Sequence, residues 1–338
     1  MPSLDLVSLA VDLMSVDSTS GREGEVVALA ERRLTERGWT VQRIPVSEGR
    51  DALLAQVDEA PLVTLSTHLD TVPPFVPPRV EGGRLWGRGA CDAKGIAAAM
   101  CVAAERLRAD AIPVALLFVV GEETTHDGAR AANGVPTTSR VLLDGEPTES
   151  ILAVGTKGVL KVTVRTTGRA AHSAYPHLGD SAIDRLVRLL ARLPELQLPA
   201  DPLLGDTTVN VGHVSGGVAD NVVAPWAEAR LMVRLVGDAD AVMARLRAWA
   251  GDDAELEPSL VVPPVRLSTV SDFPTGVVAY ATDVPELSAW GEPYLFGPGS
   301  IHVAHTPHEH VEIAELVAAV DAYDVLARRA LAQQSLAE

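Results

Sequence analysis

The chain has 338 residues, of which 47% are hydrophobic and 4% aromatic, so it is long enough for two domains with aliphatic cores. Its formal net charge of −17 argues against nucleic acid and anionic membrane surfaces as partners. Two cysteines, no signal-peptide pattern at the start and a longest apolar run of only residues 112–120 lead us to expect a soluble cytoplasmic protein.

Two helices are expected at the start of the chain. Residues 3–16 carry apolar side chains at helical spacing, and a second helix over 24–37 ends at Gly38, a common C-terminal signal. Ser20 followed by Glu23 has the spacing of a capping box for that second helix. The apolar pattern then predicts two short strands, at residues 40–45 and 52–57.

The third predicted strand ends in the stretch Ser66-Thr67-His68-Leu69-Asp70. Side chains two apart share a face of a strand, so His68 and Asp70 should project to the same side where the strand ends. A histidine supported by a carboxylate is a metal ligand with its orienting partner. The pair alone is a weak signal, and a turn with a solvated aspartate is the other interpretation.

A proline-rich loop over residues 71–78 separates this strand from the next motif. The stretch from Leu85 to Gly95 then leads into an alanine-rich helix predicted over 95–108. Asp92 stands close to the start of that helix, where it serves as an N-cap carboxylate, as a metal ligand, or as both.

Two wholly apolar runs follow, and acidic residues stand at the end of each. Residues 114–120 lead into Glu122 and Glu123, and residues 141–143 lead towards Glu146. Such runs are typical of strands buried in a parallel sheet, whose carboxyl ends gather functional sites. Adjacent acids at a buried strand end are costly without a neutralising cation, so a metal ion is the economical explanation. A plain α/β enzyme with structural carboxylates would leave these acids unpaired.

From about residue 156 the pattern changes to half-exposed strands. The predicted elements are strand 158–166, helix 179–193, strands 207–214 and 227–236, helix 238–250 and strand 255–262. This β-α-β-β-α-β order predicts a ferredoxin-like unit without acidic strand ends. We therefore expect a catalytic domain of residues 1–155 and 266–338, with an inserted lid of residues 156–265. The last segment carries four histidines, at positions 302, 305, 308 and 310, and a final helix predicted over 311–333.

Together these motifs resemble a known family over nearly the whole chain. They are similar to the two-zinc amidohydrolases and exopeptidases that include acetylornithine deacetylase, succinyl-diaminopimelate desuccinylase, aminoacylase and glutamate carboxypeptidase. The matching segments, in the family's order, are Ser66–Asp70, Gly87–Gly95, Gly121–Glu123, Gly145–Thr148 and the late histidine segment. The resemblance implies an α/β fold, with a three-layer catalytic domain of the zinc-exopeptidase type and a ferredoxin-like lid that supports dimerisation.

The resemblance also implies two divalent metal ions, with zinc as the first choice and cobalt or manganese as alternatives. His68 would bind one ion and His305 the other, Asp92 would bridge both, and Glu123 and Glu146 would each ligate one. Histidine nitrogens and carboxylate oxygens are suitable ligands for these metals.

Two further residues are given roles around those ligands by the resemblance. Glu122 would be the general base on a water held by the metals, and Asp70 would orient His68. His305 is preferred over His302 because the family's late histidine ligand precedes a proline by two positions, as His305 does.

Three lid residues match positions that contact substrate in the family. His172 would donate to the oxyanion, often from the partner subunit, unless it is a loop histidine that only packs. Asn221 and Arg234 would hold the substrate's carboxylate, and Arg234 is otherwise an exposed strand residue. The loop after Asn221 departs from the family, because its proline, Pro225, is shifted by one position.

The sequence thus predicts a metal-dependent hydrolase that removes the acyl group of an N-acyl amino acid, in the manner of acetylornithine or acetyl-lysine deacetylase. A di- or carboxypeptidase is the alternative within enzymes. A non-catalytic metal-binding protein is the alternative outside them, and Glu122 argues against it because an inactive relative should lose the base. The expected partners are a small N-acyl amino acid or short peptide and a second copy of the chain.

Overall fold

The computed structural model describes residues 4–57 and 60–337, and these form two compact units. The first unit contains the described residues up to 154, together with 267–276 and 282–337, and the second contains 155–266 and 277–281. Residue 3, with which the first predicted helix begins, lies outside the described residues. No helix in the described ranges is long and apolar enough to cross a bilayer.

The elements follow the predicted order along the chain. The α-helices are α1 Leu6–Met14, α2 Gly24–Thr35, α3 Lys94–Ala109, α4 Asp127–Asn133, α5 Ala182–Ala191, α6 Ala239–Ala250 and α7 Ile313–Ala337. Short 3₁₀ helices cover Pro176–Leu178, Leu193–Glu195, Val284–Glu286 and Ser288–Trp290. The strands are β1 Thr40–Ser47, β2 Arg50–Gln56, β3 Val63–His68, β4 Arg79–Glu81, β5 Arg84–Trp86, β6 Val114–Val119, β7 Val141–Asp144, β8 Leu152–Thr156, β9 Gly158–Thr167, β10 Ala200–Asp201, β11 Gly205–Asp206, β12 Thr208–Gly216, β13 Trp226–Leu235, β14 Glu255–Val262, β15 Val265–Arg266, β16 Thr275–Val278, β17 Glu292–Leu295 and β18 His310–Glu312.

A six-stranded sheet with the order β1-β2-β6-β3-β7-β17 forms the centre of the first unit. β6 and β7 run parallel to β3 on either side of it, so the carboxyl ends of the three strands lie at one edge of the sheet. All residues of these three strands are buried, and β6 is apolar throughout, as expected for a strand buried on both faces of the sheet. The acidic and histidine residues that follow the strands are therefore brought to the same edge.

Helices pack on both faces of this sheet. Successive side chains of β6 alternate between the two cores, with Leu116 and Phe118 in one and Ala115 and Leu117 in the other. The first core includes residues of α1, α2, α3 and α7, and the second includes residues of α4 together with Trp290. The expected three-layer catalytic domain is confirmed by this arrangement.

The capping box predicted for the second helix is wrong. α2 begins at Gly24 without a side-chain cap, because Ser20 and Glu23 have other partners. The Ser20 hydroxyl donates to Asp70 Oδ2 at 2.7 Å, and the Glu23 carboxylate accepts from Arg50 at 2.9 Å. Both side chains thus bind residues of the sheet or of its loops, Asp70 after β3 and Arg50 at the start of β2.

The interpretation of Asp92 as a helix cap is also wrong. α3 begins at Lys94, and its N-cap position is occupied by Ala93, which makes no side-chain hydrogen bond. The final helix begins two residues later than predicted, because the preceding residues form β18, which pairs with β5.

The second unit has the predicted β-α-β-β-α-β order. Its four-stranded antiparallel sheet has the order β12-β13-β9-β14. α5 and α6 pack on one face, where Leu160 and Leu231 are buried against Leu186 and Leu246. The ferredoxin-like prediction is confirmed, and the opposite face of the sheet is left without a covering helix of this unit.

Candidate metal centre

Two groups of three potential ligands lie at the carboxyl edge of the six-stranded sheet. His68, Glu122 and Glu146 form the first group, and within it one nitrogen or oxygen of each side chain lies within 4.8 Å of the others. Asp92, Glu123 and His305 form the second group by the same measure. The structure therefore brings together six of the residues singled out from the sequence.

His68 is oriented by the residue two positions after it. Its Nδ1 lies 3.0 Å from the backbone carbonyl of Asp70 and 3.5 Å from the carboxylate of Asp70, both of which are acceptors. Both acceptors favour a proton on Nδ1, so Nε2 is the nitrogen that could bind a cation once it has lost the proton that it shares with Asp92. Nε2 is directed at the carboxylate of Asp92, 3.0 Å away.

Asp92 connects the two groups. Its Oδ1 faces His68, while its Oδ2 lies 3.1 Å from Nε2 of His305. His305 in turn lies 3.0 Å from Oε1 of Glu123. One histidine on each carboxylate oxygen is the arrangement expected of a bridging ligand. His302 is exposed and belongs to neither group formed by the described residues.

The loop that carries Asp92 is held by Glu309, a residue that the sequence analysis does not single out. Oε1 of Glu309 accepts from the backbone amides of Gly89, Cys91 and Asp92 at 2.9–3.3 Å. Its other oxygen pairs with the buried guanidinium of Arg88 at 2.5 Å. The loop geometry therefore depends on a buried ion pair with a late part of the chain.

The loop after β6 is held in a similar way by Asp70. The backbone amides of Glu122 and Glu123 donate to the Asp70 carboxylate at 3.1 and 3.2 Å. Gly121 starts this loop at φ +75°, and a Cβ there would lie 2.2 Å from Asp127, so glycine is required. Asp70 thus orients one histidine and positions the backbone of two glutamates.

A second buried pair, His126 with Asp283, follows on the same loop. Nδ1 of His126 lies 2.8 Å from Oδ1 of Asp283, and both residues are buried. Asp283 adds negative charge near Glu122. Neither residue lies in a motif with recognisable spacing, so no signal in the sequence joins them.

Burial and mutual repulsion dominate the electrostatics of the acids. Burial raises the pKa of Glu122 and of Glu146 well above its usual value, and neighbouring carboxylates add to both shifts. Burial also disfavours ionised Asp92, but hydrogen bonds with His305 and His68 outweigh it and lower the pKa of Asp92. Hydrogen bonds from His305 to Asp92 and Glu123 raise the pKa of His305 to about 10.

These residues fit a pair of divalent cations. The donor set is two imidazole nitrogens with carboxylate oxygens, which suits zinc and also cobalt or manganese. Within residues 4–57 and 60–337, no Lys or Arg forms an ion pair with any of the six side chains. A concentration of buried acids without lysine or arginine is destabilising unless another cation neutralises it.

The remaining residues implicated by sequence belong to the second unit. His172 and Asn221 lie in neighbouring loops, because the amide of Ser173 donates to the Asn221 carbonyl at 3.0 Å. Both residues are exposed, whereas Arg234 on β13 is half-buried.

Comparison with known proteins gives matches over the whole chain. Residues 154–257 match the family described as a peptidase dimerisation domain. A probable carboxypeptidase of Aspergillus terreus is 38% identical over an alignment 368 residues long, gaps included, and the alignment covers 95% of this chain and 85% of that protein. A peptidase M20 domain-containing protein of Schizosaccharomyces pombe is 37% identical over 336 residues, covering 94% and 83%.

Solved structures with lower identity share the fold. A tripeptidase of Staphylococcus aureus has a TM-score of 0.80 at 20% identity, covering 96% of this chain and 98% of that chain. A dinuclear metal-binding peptidase of Bacillus subtilis, from the M20 family, has a TM-score of 0.71 at 17% identity, covering 95% and 96%.

We expect Glu309→Ala to lower Zn²⁺ affinity about 10- to 100-fold, because the Asp92 loop loses the carboxylate that fixes its amides. Glu309→Gln keeps one acceptor oxygen and should lose less. Chelator competition on metal-stripped protein measures the affinity, and circular dichroism checks that each variant is folded. Glu312→Ala is the matched control, because the Glu312 side chain is 40% exposed and pairs only with Arg84 among the described residues. Equal affinity in Glu309→Ala and Glu312→Ala would contradict the role given to Glu309.

We also expect Zn²⁺ affinity to rise with pH between 6 and 8. In the metal-free protein, hydrogen bonds to Asp92 and Glu123 raise the pKa of His305 to about 10, so its imidazole holds a proton that it must lose to bind a cation. The raised pKa of Glu146 acts in the same direction. Each displaced proton contributes about a tenfold gain in affinity per pH unit below the pKa of its group. Calorimetric titration in buffers of different ionisation enthalpy counts the protons released. His305→Ala should release about one proton fewer, and His302→Ala should release as many as the wild type. A pH-independent affinity would contradict this account.

Proposed function

Because this chain belongs to the M20 peptidase family, we propose that it is a metal-dependent exopeptidase that releases the C-terminal amino acid of a short peptide. The observation that carries the proposal is the pair of three-ligand groups joined through Asp92. From the sequence motifs we expected acetylornithine or acetyl-lysine deacetylase activity, with peptide cleavage as the alternative. The names carboxypeptidase and tripeptidase, carried by a relative and by a protein of the same fold, support peptide cleavage better. An N-acyl amino acid is therefore the second choice of substrate.

We assign His68 and Glu146 to one cation and Glu123 and His305 to the other, with Asp92 between them. Two bound cations supply Lewis acidity to the scissile carbonyl and lower the pKa of a water. Zinc is our first choice of metal, since imidazole and carboxylate donors suit it, with cobalt and manganese as alternatives. The negative charge of the carboxylates would hold the two cations at the edge of the sheet, and the histidine nitrogens would add neutral donors.

Glu122 is assigned as the general base. Its carboxylate lies among the ligands, and burial raises its pKa, which suits a group that must take up and release a proton. In this role Glu122 accepts the proton of the attacking water and passes it to the nitrogen of the leaving amine. Asp70 supports the step by holding the amides of Glu122 and Glu123.

The second unit is assigned to substrate recognition. His172 would donate a hydrogen bond to the oxyanion, and Asn221 and Arg234 would bind the carboxylate of the C-terminal residue. Asn221 precedes β13 and Arg234 lies near the other end of that strand, so Asn221 would reach this carboxylate from the second copy of the chain. The exposure of the His172 and Asn221 loops and their mutual hydrogen bond support a common role. Arg234 is available for an anion, because no described carboxylate pairs with it.

We further propose that the protein is a homodimer that associates through β12 and α5. β12 is an edge strand, and Val214 on it is 53% exposed. α5 exposes Ile183 and Val187 one turn apart, and the Val187 side chain is 57% exposed. Exposed apolar side chains on an edge strand and a nearby helix are typical of a surface covered by another chain.

The two free cysteines are both buried, which supports our assignment to a reducing compartment such as the cytoplasm.

The activity is tested with metal-stripped and metal-reloaded protein on di- and tripeptides, N-acetylornithine and N-acetyl-lysine. We expect metal-dependent release of the C-terminal residue from peptides. Glu122→Gln should retain both metals and lower kcat about 10²- to 10⁴-fold, because it removes the base. Glu123→Gln, one residue away, should lose metal occupancy instead. Cleavage of only the acetylated amino acids would favour the deacylase, and normal turnover in Glu122→Gln would refute the base assignment.

The dimer is tested by light scattering over a range of protein concentrations. We expect the mass of two chains for the wild type and a shift towards one chain in Val187→Glu, because a buried charge opposes association. Val261→Glu is the matched control, because Val261 is similarly exposed but lies on β14, at the other edge of the sheet. A single-chain mass for the wild type would rule out the dimer.

A further inference from the structure

The uncovered face of the second unit's sheet contains a groove of about 680 Å³. β9, β12 and β13 provide most of its lining, and the side chains that line it include one lysine and three arginines: Lys161, Arg165, Arg230 and Arg234. This is an unusual concentration of positive charge in a chain whose net charge is −17. The groove is therefore a candidate binding site for an anion.

The basic side chains at one end of the groove are already compensated. Arg165 pairs with Glu257 and lies 3.6 Å from Glu228. Arg230 lies 3.2 Å from the same Glu228. This end carries a network of exposed ion pairs and offers little free charge to a ligand.

The other end carries two cations without acidic partners. Neither Lys161 nor Arg234 forms an ion pair with any carboxylate in the part of the chain that the structure describes. Both side chains are half-buried, and burial alone lowers the pKa of Arg234, with no acid opposing the shift. Partial burial of two unpaired cations costs free energy that a bound anion would recover.

Strand register sets the spacing of these two cations. Lys161 stands opposite Met232, and Arg234 stands opposite Val159, two residues further along β13. Lys161 and Arg234 are therefore diagonal neighbours on one face, at about 7–8 Å, within reach of a single small ligand. Met232 lies between them in the register, with Asn210 opposite it on β12.

We infer that Lys161, Asn210, Met232 and Arg234 form a dicarboxylate pocket that selects peptides with a C-terminal glutamate or aspartate. Arg234 forms the bidentate pair with the terminal carboxylate, and Lys161 supplies a point charge for the side-chain carboxylate. The Met232 side chain provides an apolar surface for the intervening methylenes. This inference rests on the proposed exopeptidase function and adds to it the class of the released residue.

The test compares peptides that differ only in C-terminal Glu or Gln. We expect wild-type enzyme to prefer Glu about tenfold or more in kcat/KM, mainly through KM, because a charge-assisted contact forms with Glu alone. The preference should decrease with added salt. Lys161→Met keeps the length of the side chain but removes its charge, so the Glu/Gln ratio should fall to about one. Lys161→Glu should reverse the preference towards C-terminal lysine.

Arg165→Met is the matched control. Arg165 lies on the same strand and face as Lys161, four residues further on, but its charge is already paired with glutamates. The Glu/Gln ratio should keep its wild-type value in this variant. A wild-type ratio near one, or an unchanged ratio in Lys161→Met, would overturn the inference and return Lys161 to the role of a solvated surface charge.

A binding measurement separates this inference from the exopeptidase proposal. L-glutamate and L-glutamine are titrated against the metal-loaded protein by calorimetry. If no peptide is cleaved but glutamate binds more tightly than glutamine, and Lys161→Met abolishes the difference, the dicarboxylate pocket stands and the exopeptidase proposal fails. Equal binding of the two amino acids to the wild type would overturn the pocket whatever the enzyme cleaves.

Discussion

The central constraint on the first unit is the burial of several carboxylates at one edge of its sheet. Glu122, Glu123 and Glu146 follow buried strands, and Asp92 joins them from the loop before α3. Removing carboxylates from water without a cation is strongly unfavourable. The two histidines, which hydrogen bond to Asp92, offset part of this cost, and divalent cations fit the remaining charge.

Two further acids act on the backbone of the loops that carry the candidate ligands. Asp70 accepts the amides of Glu122 and Glu123, and Glu309 accepts the amide of Asp92. Asp70 and Glu122 are 52 positions apart in the chain, and Glu309 and Asp92 are 217 positions apart. The loop of Glu122 and Glu123 and the loop of Asp92 are thus each held by a buried carboxylate from a distant segment. Charge-assisted hydrogen bonds of this kind are strong in a buried setting, which favours one geometry of the loop.

The second unit concentrates basic side chains where the first concentrates acidic ones. Its sheet has one face packed against two helices and one face open to a ligand, with basic side chains on the open face. Ion pairs compensate the charge at one end of this face, whereas Lys161 and Arg234 at the other end pair with no carboxylate of the described residues. The division between an acidic unit that suits cations and a basic groove that suits carboxylates agrees with a hydrolase of peptides that end in a carboxylate.

The pattern of apolar residues along the chain was sufficient to predict most of the helices and strands. Residues 114–119, for example, are apolar without interruption, and a strand buried on both faces is the conformation that buries them all. Local spacing was misleading where a side chain had a stronger distant partner, as for Ser20 and Glu23, which bind Asp70 and Arg50 instead of capping α2. Hydrogen bonds to distant buried groups outweigh a local cap, and periodicity contains no information about them.

The candidate ligands were predictable because each follows a recognisable strand end or motif, and His68, Asp92, Glu123, Glu146 and His305 meet in the folded chain. Their roles rest on the proposed function. Glu309, His126 and Asp283 could not be found in this way, because their importance comes only from contacts across the fold. The order of elements and the acids at the strand ends could be predicted, because local side-chain chemistry sets both. Which acids share a site, and which cations lack a partner among the described residues, could be seen only in the folded chain, because both depend on distances between segments that are remote in the sequence.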